Sequence, residues 1–564
     1  MTAGVREEPR ESVRPRTPRR LPLPTLLALL VGFAGVGYRL ALLFADVPPT
    51  NSDEATMGLA ALHVARGDGF PVWFYGQAYM GTLEAYLAAP LVALAGPSVL
   101  VLRLPTLALY ALFLLLSWRL TRRLGGDRWY ALLVVAVLAL GSDRVVKNQL
   151  IAGGGYPELN PAGAALALLT VGLCVTGAGA RLPRWAAWGL VSGVLLWVDP
   201  LILPYVLTLG VLLVAWRWRE LAGRAGVVLA GTLLLGAAPM LADSIRHGRN
   251  PVAAVLAAGG TGAPADWADR LHGALVLGPP LAMGFCSPGR CATWQLWWAV
   301  AFPVLLVLAA LTAWHALRPG GPGSAERVSA GVRLALLGGA AGVLGAYAVS
   351  NAAGQTPIES SRYLSCLAVA VPALFWPLWQ AARRLTGLRK FAEVAVSEES
   401  GYRHLPEVES IKATGGRAAG RRARVAGAGA LAVLAGVLGT GAAATVDVVR
   451  TAPAVHAEAD RHRSLVDTLG ALDVRNVRGG YWTCNRLTYA TGENVLCAVV
   501  DDDLSPGFDR LPAYRREVAA DPDAAWVAPA GSPLAARLDE RVGAESGALD
   551  VVTVAGWRIY LPRR

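Results

Sequence analysis

Charged side chains are scarce in this chain: Asp, Glu, Lys and Arg make up 16% of its 564 residues, and lysine stands only at 147, 390 and 412. Soluble domains carry roughly a quarter charged residues, so an ordinary cytosolic enzyme and a charge-rich disordered chain are both excluded. Cysteine is sparse as well, with 6 in all and no C-x-x-C pair or His-rich cluster. That excludes a disulfide miniprotein and offers no structural zinc site. The 63 glycines follow no G-X-Y period, which excludes a collagen-like chain, and no repeat recurs at a fixed spacing.

What the chain does have is apolar runs. Hydrophobic residues make up 54% of it and the mean hydropathy is +0.44. Uncharged stretches of about 20 apolar residues mark membrane spans. The sequence predicts an all-α polytopic membrane protein with spans near 21–45, 98–118, 129–147, 158–178, 185–199, 201–216, 225–243, 294–315, 332–350, 362–381 and 425–446, about eleven crossings. A net charge of +12 would suit nucleic acid, but the arginines cluster at the ends of apolar runs. Arg119/Arg122/Arg123/Arg128, Arg181/Arg184, Arg217/Arg219/Arg224 and Arg318/Arg327/Arg333 follow the positive-inside pattern, so no nucleic-acid partner is expected. The basic tail 1–20, with Arg14, Arg16, Arg19 and Arg20 before the first run, is read as cytoplasmic and that run as an uncleaved span. A twin-Arg signal peptide is the alternative, but no small-residue cleavage site follows.

Within a membrane domain of 21–446, this layout places 46–97, 244–293 and 351–361 outside the cell and makes the polar stretch 382–424 a cytoplasmic linker. The tail 447–564 changes character. Strand-like runs at 494–500, 524–527, 551–554 and 557–561 mix with helical patterns at 461–472 and 513–520, which predicts a small extracytoplasmic α/β domain. Cys286 and Cys291, and Cys484 and Cys497, fall on the expected outer side, where two disulfides can form. Cys174 and Cys366 fall in or beside spans, where a free cysteine behaves as a small apolar residue.

The first outer loop concentrates polar chemistry. It opens with Asp53 and Glu54 after the first span, runs as a short helix ended by Gly67, passes Tyr75, Gln77 and Tyr79, and enters a second helix bearing Glu84. Asn51 with Glu54 three residues on is a capping box, which by itself accounts for the acids as helix caps. A carboxylate pair at a membrane interface beside a Tyr/Gln segment also suits acid–base chemistry. Pro90 interrupts the second helix, and no basic residue closes it. It is therefore placed along the outer surface, with the next span starting near Ser98. His63 is read as a surface imidazole, and Asp199 as an acid at membrane depth. In the tail, Tyr481, Trp482 and Arg486 are read as packing rather than as a sugar-binding surface.

The ordered features Asp53-Glu54, Gly67, Gly96, Ser98, Arg103-Leu104-Pro105 and Arg122-Arg123-Leu124-Gly125 resemble the GT-C superfamily of glycosyltransferases that use polyprenyl-phosphate sugars. The nearest branch is the protein O-mannosyltransferase and aminoarabinose transferase type, family 39. The detailed likeness covers about 80 residues. It departs where that branch carries a K-P-P-like stretch and this chain has YGQAYMGTLE, as in a related bacterial subgroup.

The resemblance implies a hexosyl- or pentosyltransferase at the outer face of the plasma membrane. It would move a sugar, with inversion, from a polyprenyl-phosphate donor in the membrane lipid to an envelope glycan, lipid or protein. Asp53, with Glu54 beside it, would be the catalytic base. Arg362, Lys147 and Arg144 are candidates for the donor phosphate, although each also suits snorkelling to headgroups. Tyr75, Gln77, Tyr79, Glu84, and Tyr156, Glu158 and Asn160 of the segment AGGGYPELNP are candidates for sugar or acceptor binding. Some members of the superfamily use a divalent metal; no clustered ligands here demand one, and no other cofactor is implied. The competing classes are a lipid-linked sugar flippase, which would show broken, charged mid-spans, and a non-catalytic envelope-binding protein.

Overall fold

The computed structural model describes residues 21–175, 181–258, 263–318, 324–386, 416–544 and 549–563. The expected basic tail 1–20 and residues 387–415 of the expected linker lie outside the described residues.

The first helix, α1 (Leu23–Phe44), has 22 residues, roughly 33 Å at about 1.5 Å per residue, enough to cross a hydrocarbon core. Two shorter helices follow: α2 (Ser52–Arg66) and α3 (Leu83–Ala95). Gly96 and Pro97 then break the chain, and Ser98 caps α4 (Val99–Arg123) by accepting the Val101 amide at 3.2 Å. The surface helix and the span after it are thus separate elements. Further on come α5 (Arg128–Ala139), α6 (Asp143–Leu150), α7 (Tyr156–Cys174), α8 (Leu182–Val198) and α9 (Leu203–Leu221). Helices Trp298–Leu317 and Ser324–Val349 and a helical stretch 357–385 complete the bundle with the first part of a 56-residue helix, Gly416–Ala471.

Among the described residues seven helices are long and apolar enough to cross a membrane, or nine if each of two bent pairs makes one span. The two expected spans outside that count by length and composition are α7, whose first turns carry Glu158 and Asn160, and α8, which has only 17 residues. The expected third span is not a straight helix either. It turns by 92° between α5 and α6. Arg39 makes that break affordable inside the bundle: its Nη1 donates to the Ala139 carbonyl at 2.9 Å, its Nε to Gln149 Oε1 at 2.7 Å, and its guanidinium lies 3.9 Å from the Tyr110 ring centroid. A helix end left open among apolar neighbours needs such a donor.

The C-terminal sheet has the order β2-β1-β3-β5-β4, from β1 (Asn476–Gly479), β2 (Leu496–Val499), β3 (Ala525–Pro529), β4 (Leu549–Val554) and β5 (Trp557–Pro562). β1 is parallel to β2 and β3, and β5 is antiparallel to β3 and β4. The helix expected to stop at 446 continues to Ala471, and Leu465 and Leu469 on its last turns share a core with Val477, Leu487 and Ile559. β1 and the helices Tyr481–Ala490 and Pro533–Ala544 add to the expected elements. Cys484 is bonded to Cys497 and Cys286 to Cys291, while Cys174 and Cys366 are free and buried.

The sheet layer docks on α2 through the helix Tyr481–Ala490. Gly58 lets the Tyr489 ring lie where a Cβ would stand, 2.6 Å away, and the Tyr489 hydroxyl donates to the Ser98 carbonyl at 3.0 Å. Ser52 Oγ donates to the Tyr481 carbonyl at 2.7 Å, and Asn485 Nδ2 to Thr56 Oγ1 at 2.8 Å. At the far end of α2 the Glu493 carboxylate meets His63 Nε2 at 2.9 Å, Arg66 and the Tyr514 hydroxyl. Burial pushes that carboxyl up, but the hydrogen bonds from His63 and Tyr514 and the Arg66 charge outweigh it and hold it down at about 2.

Candidate active site

Asn51 has extended backbone and its side chain accepts the Glu54 amide at 2.8 Å, which starts α2, while Gly67, at φ 78°, ends it. The cap puts two acids on the first turn, yet they face different surroundings. Consecutive helix residues diverge by about 100°. Glu54 is fully buried and forked onto Arg103, with Nε to Oε1 and Nη2 to Oε2 both at 2.6 Å. Arg103 also donates from Nη1 to the Pro48 carbonyl at 2.8 Å. Asp53 is 22% exposed and opens on a cavity.

That cavity has a volume of about 210 Å³. Its wall brings together Asp53, Gln77, Tyr79, Tyr156, Asp199 and Arg362. The segment between α2 and α3 folds back on itself to present Gln77 and Tyr79: Phe74 N donates to the Met80 carbonyl at 2.8 Å, Gln77 N to the Phe74 carbonyl at 2.9 Å, and Gly76 takes φ 78°. Tyr156 arrives from the first turn of α7, and Arg362 with Tyr363 from the stretch after Ser350. Arg362 Nε is buried without a partner, so part of its donor capacity is unused. Asp199 joins α8 to the short turn before α9, where its Oδ1 accepts the Leu201 amide at 2.8 Å.

Asp53 is held from the C-terminal layer. Tyr481 donates its hydroxyl to Oδ1 at 2.7 Å, and Arg510 Nη2 reaches the same oxygen at 2.8 Å. Arg510 is fixed in turn by Nε on the Tyr481 oxygen at 2.6 Å, Nη1 on the Tyr75 carbonyl at 3.0 Å, and the Phe74 ring 4.6 Å away. Burial, then the Asp53 charge, raises the Tyr481 hydroxyl well above its usual range, so it stays protonated and donates. Among the described residues no hydrogen bond reaches Asp53 Oδ2. Sequence reasoning gave Tyr481 to packing and missed Arg510 altogether. Arg510 lies on a loop 457 residues from its partner, with no periodicity to flag it.

The other candidates sit off this cavity. Tyr75 turns away, its hydroxyl 2.7 Å from His63 Nδ1. Glu84 is buried under the glycine turn and accepts the Gly154 and Gly155 amides at 3.3 and 3.2 Å; burial pushes its carboxyl up to about 8 against the pull of those amides. Glu158 is buried with neither oxygen partnered, and Asn160 borders a separate small cavity beside Gln149 and Ser365. Arg144 donates to the Ile358 carbonyl at 2.8 Å, and Lys147 pairs with Asp143 at 3.0 Å one turn away on α6. Among the described residues no group of three or more His, Cys, Asp or Glu side chains is gathered as for a metal ion.

No protein-family model matches the chain, and no curated protein does. Solved structures do. ArnT from Cupriavidus metallidurans bound to undecaprenyl phosphate superposes with a TM-score of 0.55 at 15% identity, over 96% of this chain and 97% of that one. The chain shares the fold of this ArnT. The apo form of the same ArnT gives 0.54 at 14% identity with the same coverage. The oligosaccharyltransferase of Archaeoglobus fulgidus in its apo form matches more loosely, with a TM-score of 0.46 at 12% identity over 90% of this chain and 69% of that chain. The likeness in fold spans nearly the full length of both this chain and ArnT, so it takes in the C-terminal layer that carries Tyr481 and Arg510.

Proposed function

We propose that the protein is an inverting glycosyltransferase that moves a sugar from a polyprenyl-phosphate donor to a cell-envelope acceptor at the outer face of the plasma membrane. One observation carries the reading: an acid and a cation, Asp53 and Arg362, face a single cavity walled by Gln77, Tyr79 and Tyr156. A hydroxyl is a poor nucleophile at neutral pH and must lose its proton as it attacks. Tyr481 and Arg510 hold Asp53 through Oδ1, which aims Oδ2 at the acceptor. As the acceptor oxygen bonds to the anomeric carbon, the bond from that carbon to the donor phosphate breaks on the opposite side. The departing lipid phosphate gathers negative charge beside Arg362, whose buried Nε is available to meet it. Gln77, Tyr79, Tyr156 and Asp199 supply hydrogen bonds of the kind sugars take.

The carrier class draws support from the undecaprenyl phosphate bound to the ArnT of matching fold. The orientation draws support from Arg119, Arg122 and Arg123 at the opposite end of α4 from Arg103, the partner of Glu54. In this scheme Glu54 is a positioning residue that fixes the start of α2 through Arg103. Arg144 and Lys147 do not line the Asp53 cavity, so the scheme gives the donor phosphate to Arg362.

The test is Asp53→Asn in membranes supplied with labelled polyprenyl-phosphate sugars and envelope acceptors. Loss of a general base lowers turnover by about 100-fold or more while the protein still accumulates in the membrane. Undiminished transfer would remove Asp53 from the chemistry. Cysteine labelling that reached the C-terminal sheet only from the cytoplasm would overturn the orientation.

A further inference from the structure

We propose that the protein holds a bilayer phospholipid with an anionic headgroup at the arginine-rich end of its helices, in a site separate from the Asp53 cavity. Two cavities there share Trp118 as a wall residue. The first, about 330 Å³, lies between α1, α4 and α5, and residues such as Leu29, Phe33, Val36 and Leu115 wall it; no charged residue does. The second, about 640 Å³, lies between α4, α7 and the start of α8. Arg119, Arg122, Arg123 and Arg184 line it, with no Asp or Glu among its lining residues.

An apolar slot and a basic chamber that share a wall residue match the two ends of an amphipathic anion: a chain for the one and a phosphate for the other. Arginine at a span end often does no more than reach the headgroup layer. Two observations go further. Arg122 Nη1, half-buried, is anchored on the Gly126 carbonyl at 2.8 Å, and Arg184 Nη1, at the exposed rim, on the Gly172 carbonyl at 3.0 Å, so both guanidinia are tethered to backbone. Among the described residues, the indole Nε1 of Trp118, which walls both cavities, is buried with no acceptor. An indole N–H shut away from water without a partner is costly. A phosphate or ester oxygen of a lipid seated against Trp118 would satisfy it. Basic pockets between helices take up phospholipid headgroups by this combination of charge and lateral access.

The geometry also selects the source of the phosphate. Arg103, the partner of Glu54, lies in the first turns of α4, and Trp118 is fifteen residues further along the same helix, roughly 22 Å at about 1.5 Å per residue. A glycosylated carrier headgroup bound at Trp118 would sit beyond reach of Asp53. The occupant is a resident phospholipid, and the site stands whether or not Asp53 is catalytic.

Native mass spectrometry of the full chain in detergent, titrated with phosphatidylglycerol, phosphatidylcholine or undecaprenyl phosphate, tests this. The wild type should retain phosphatidylglycerol in preference to both others. Removing two guanidinium charges with Arg122→Gln and Arg184→Gln should weaken retention about 30-fold. Trp118→Phe keeps the ring and loses only the N–H, and should weaken it about 5-fold. Equal retention of phosphatidylglycerol by wild type and variants, or of phosphatidylcholine and phosphatidylglycerol by the wild type, would overturn the site. Preferred capture of undecaprenyl phosphate would overturn the choice of ligand. Complete displacement of lipid by inorganic phosphate would reduce the site to one for a free anion.

Discussion

The Glu54–Arg103 pair separates holding from catalysis, because it sits beside Asp53 in sequence and away from it in space. Both side chains are buried, and the fork makes two bonds of 2.6 Å. Replacing Glu54 by Leu strands a buried guanidinium, and breaking such a pair from one side costs about 3–5 kcal/mol. Replacing Arg103 by Met as well removes the stranded charge. What then remains is the Pro48 carbonyl, which loses its donor, a penalty of about 1–3 kcal/mol. The double variant should therefore be more stable than the Glu54→Leu single, although a second lesion has been added. Unfolding in mixed micelles with increasing SDS, followed by the fluorescence of the chain's tryptophans, measures this order directly. The proposed transferase activity should follow fold recovery, so the double variant should regain activity that the single loses. Additive destabilisation would refute the pair as a stabilising unit. A stable double variant with no turnover would return Glu54 to the chemistry.

Three further expectations follow from the docked C-terminal layer. Gly58→Ala places a methyl group 2.6 Å from the Tyr489 ring, which the Ser98 hydrogen bond keeps from swinging aside. Overpacking of this kind costs about 1–3 kcal/mol, and faster amide exchange across the helix Tyr481–Ala490 would register it. The Glu493 carboxyl is depressed from its ordinary 4.5 to about 2, so its contribution is complete above pH 4.5 and is lost as pH falls towards 2. Proteolysis of the C-terminal layer should accelerate over that interval in the wild type and show no such slope in Glu493→Gln; identical profiles would exclude the contact. Replacing Cys484 and Cys497 together by Ala opens a loop of sequence separation 13, worth about 3 kcal/mol in a chain-entropy account. An unchanged unfolding midpoint would show that the sheet holds itself without the bond.

Local chemistry made the frame of the site legible. Asn51, Gly67 and Ser98 are cap residues, and the helices between them begin and end where those side chains and backbone angles require. The difference between Asp53 and Glu54 was also present in principle, since neighbours on a helix cannot share a face. It was hidden because two adjacent acids look alike until their surroundings are known. The 92° turn after α5 falls at Gly141-Ser142, a break that reading 129–147 as one span passed over, and the Ala139 carbonyl it opens is met by Arg39 from another helix. β1 and the helix Tyr481–Ala490 escaped notice because the stretch around GGYWTC was read as packing without an element being assigned to it. Arg510 is the clearest case. Its place beside Asp53 depends on a sheet, a loop and a docking surface assembled from residues far apart in sequence, and no short-range pattern encodes such a meeting.

The helix Gly416–Ala471 runs unbroken through 56 residues from the bundle into the core of the sheet, roughly 84 Å at about 1.5 Å per residue. A connection of that kind transmits angle as well as distance. Adding one residue to it would turn everything beyond by about 100° and lift it by about 1.5 Å, swinging Arg510 off its carboxylate. Seven added residues would nearly restore the bearing at a height the short contacts on α2 could not follow. The rod therefore acts as a ruler and a protractor at once, and the spacing between bundle and sheet is the part of this chain least free to change in length.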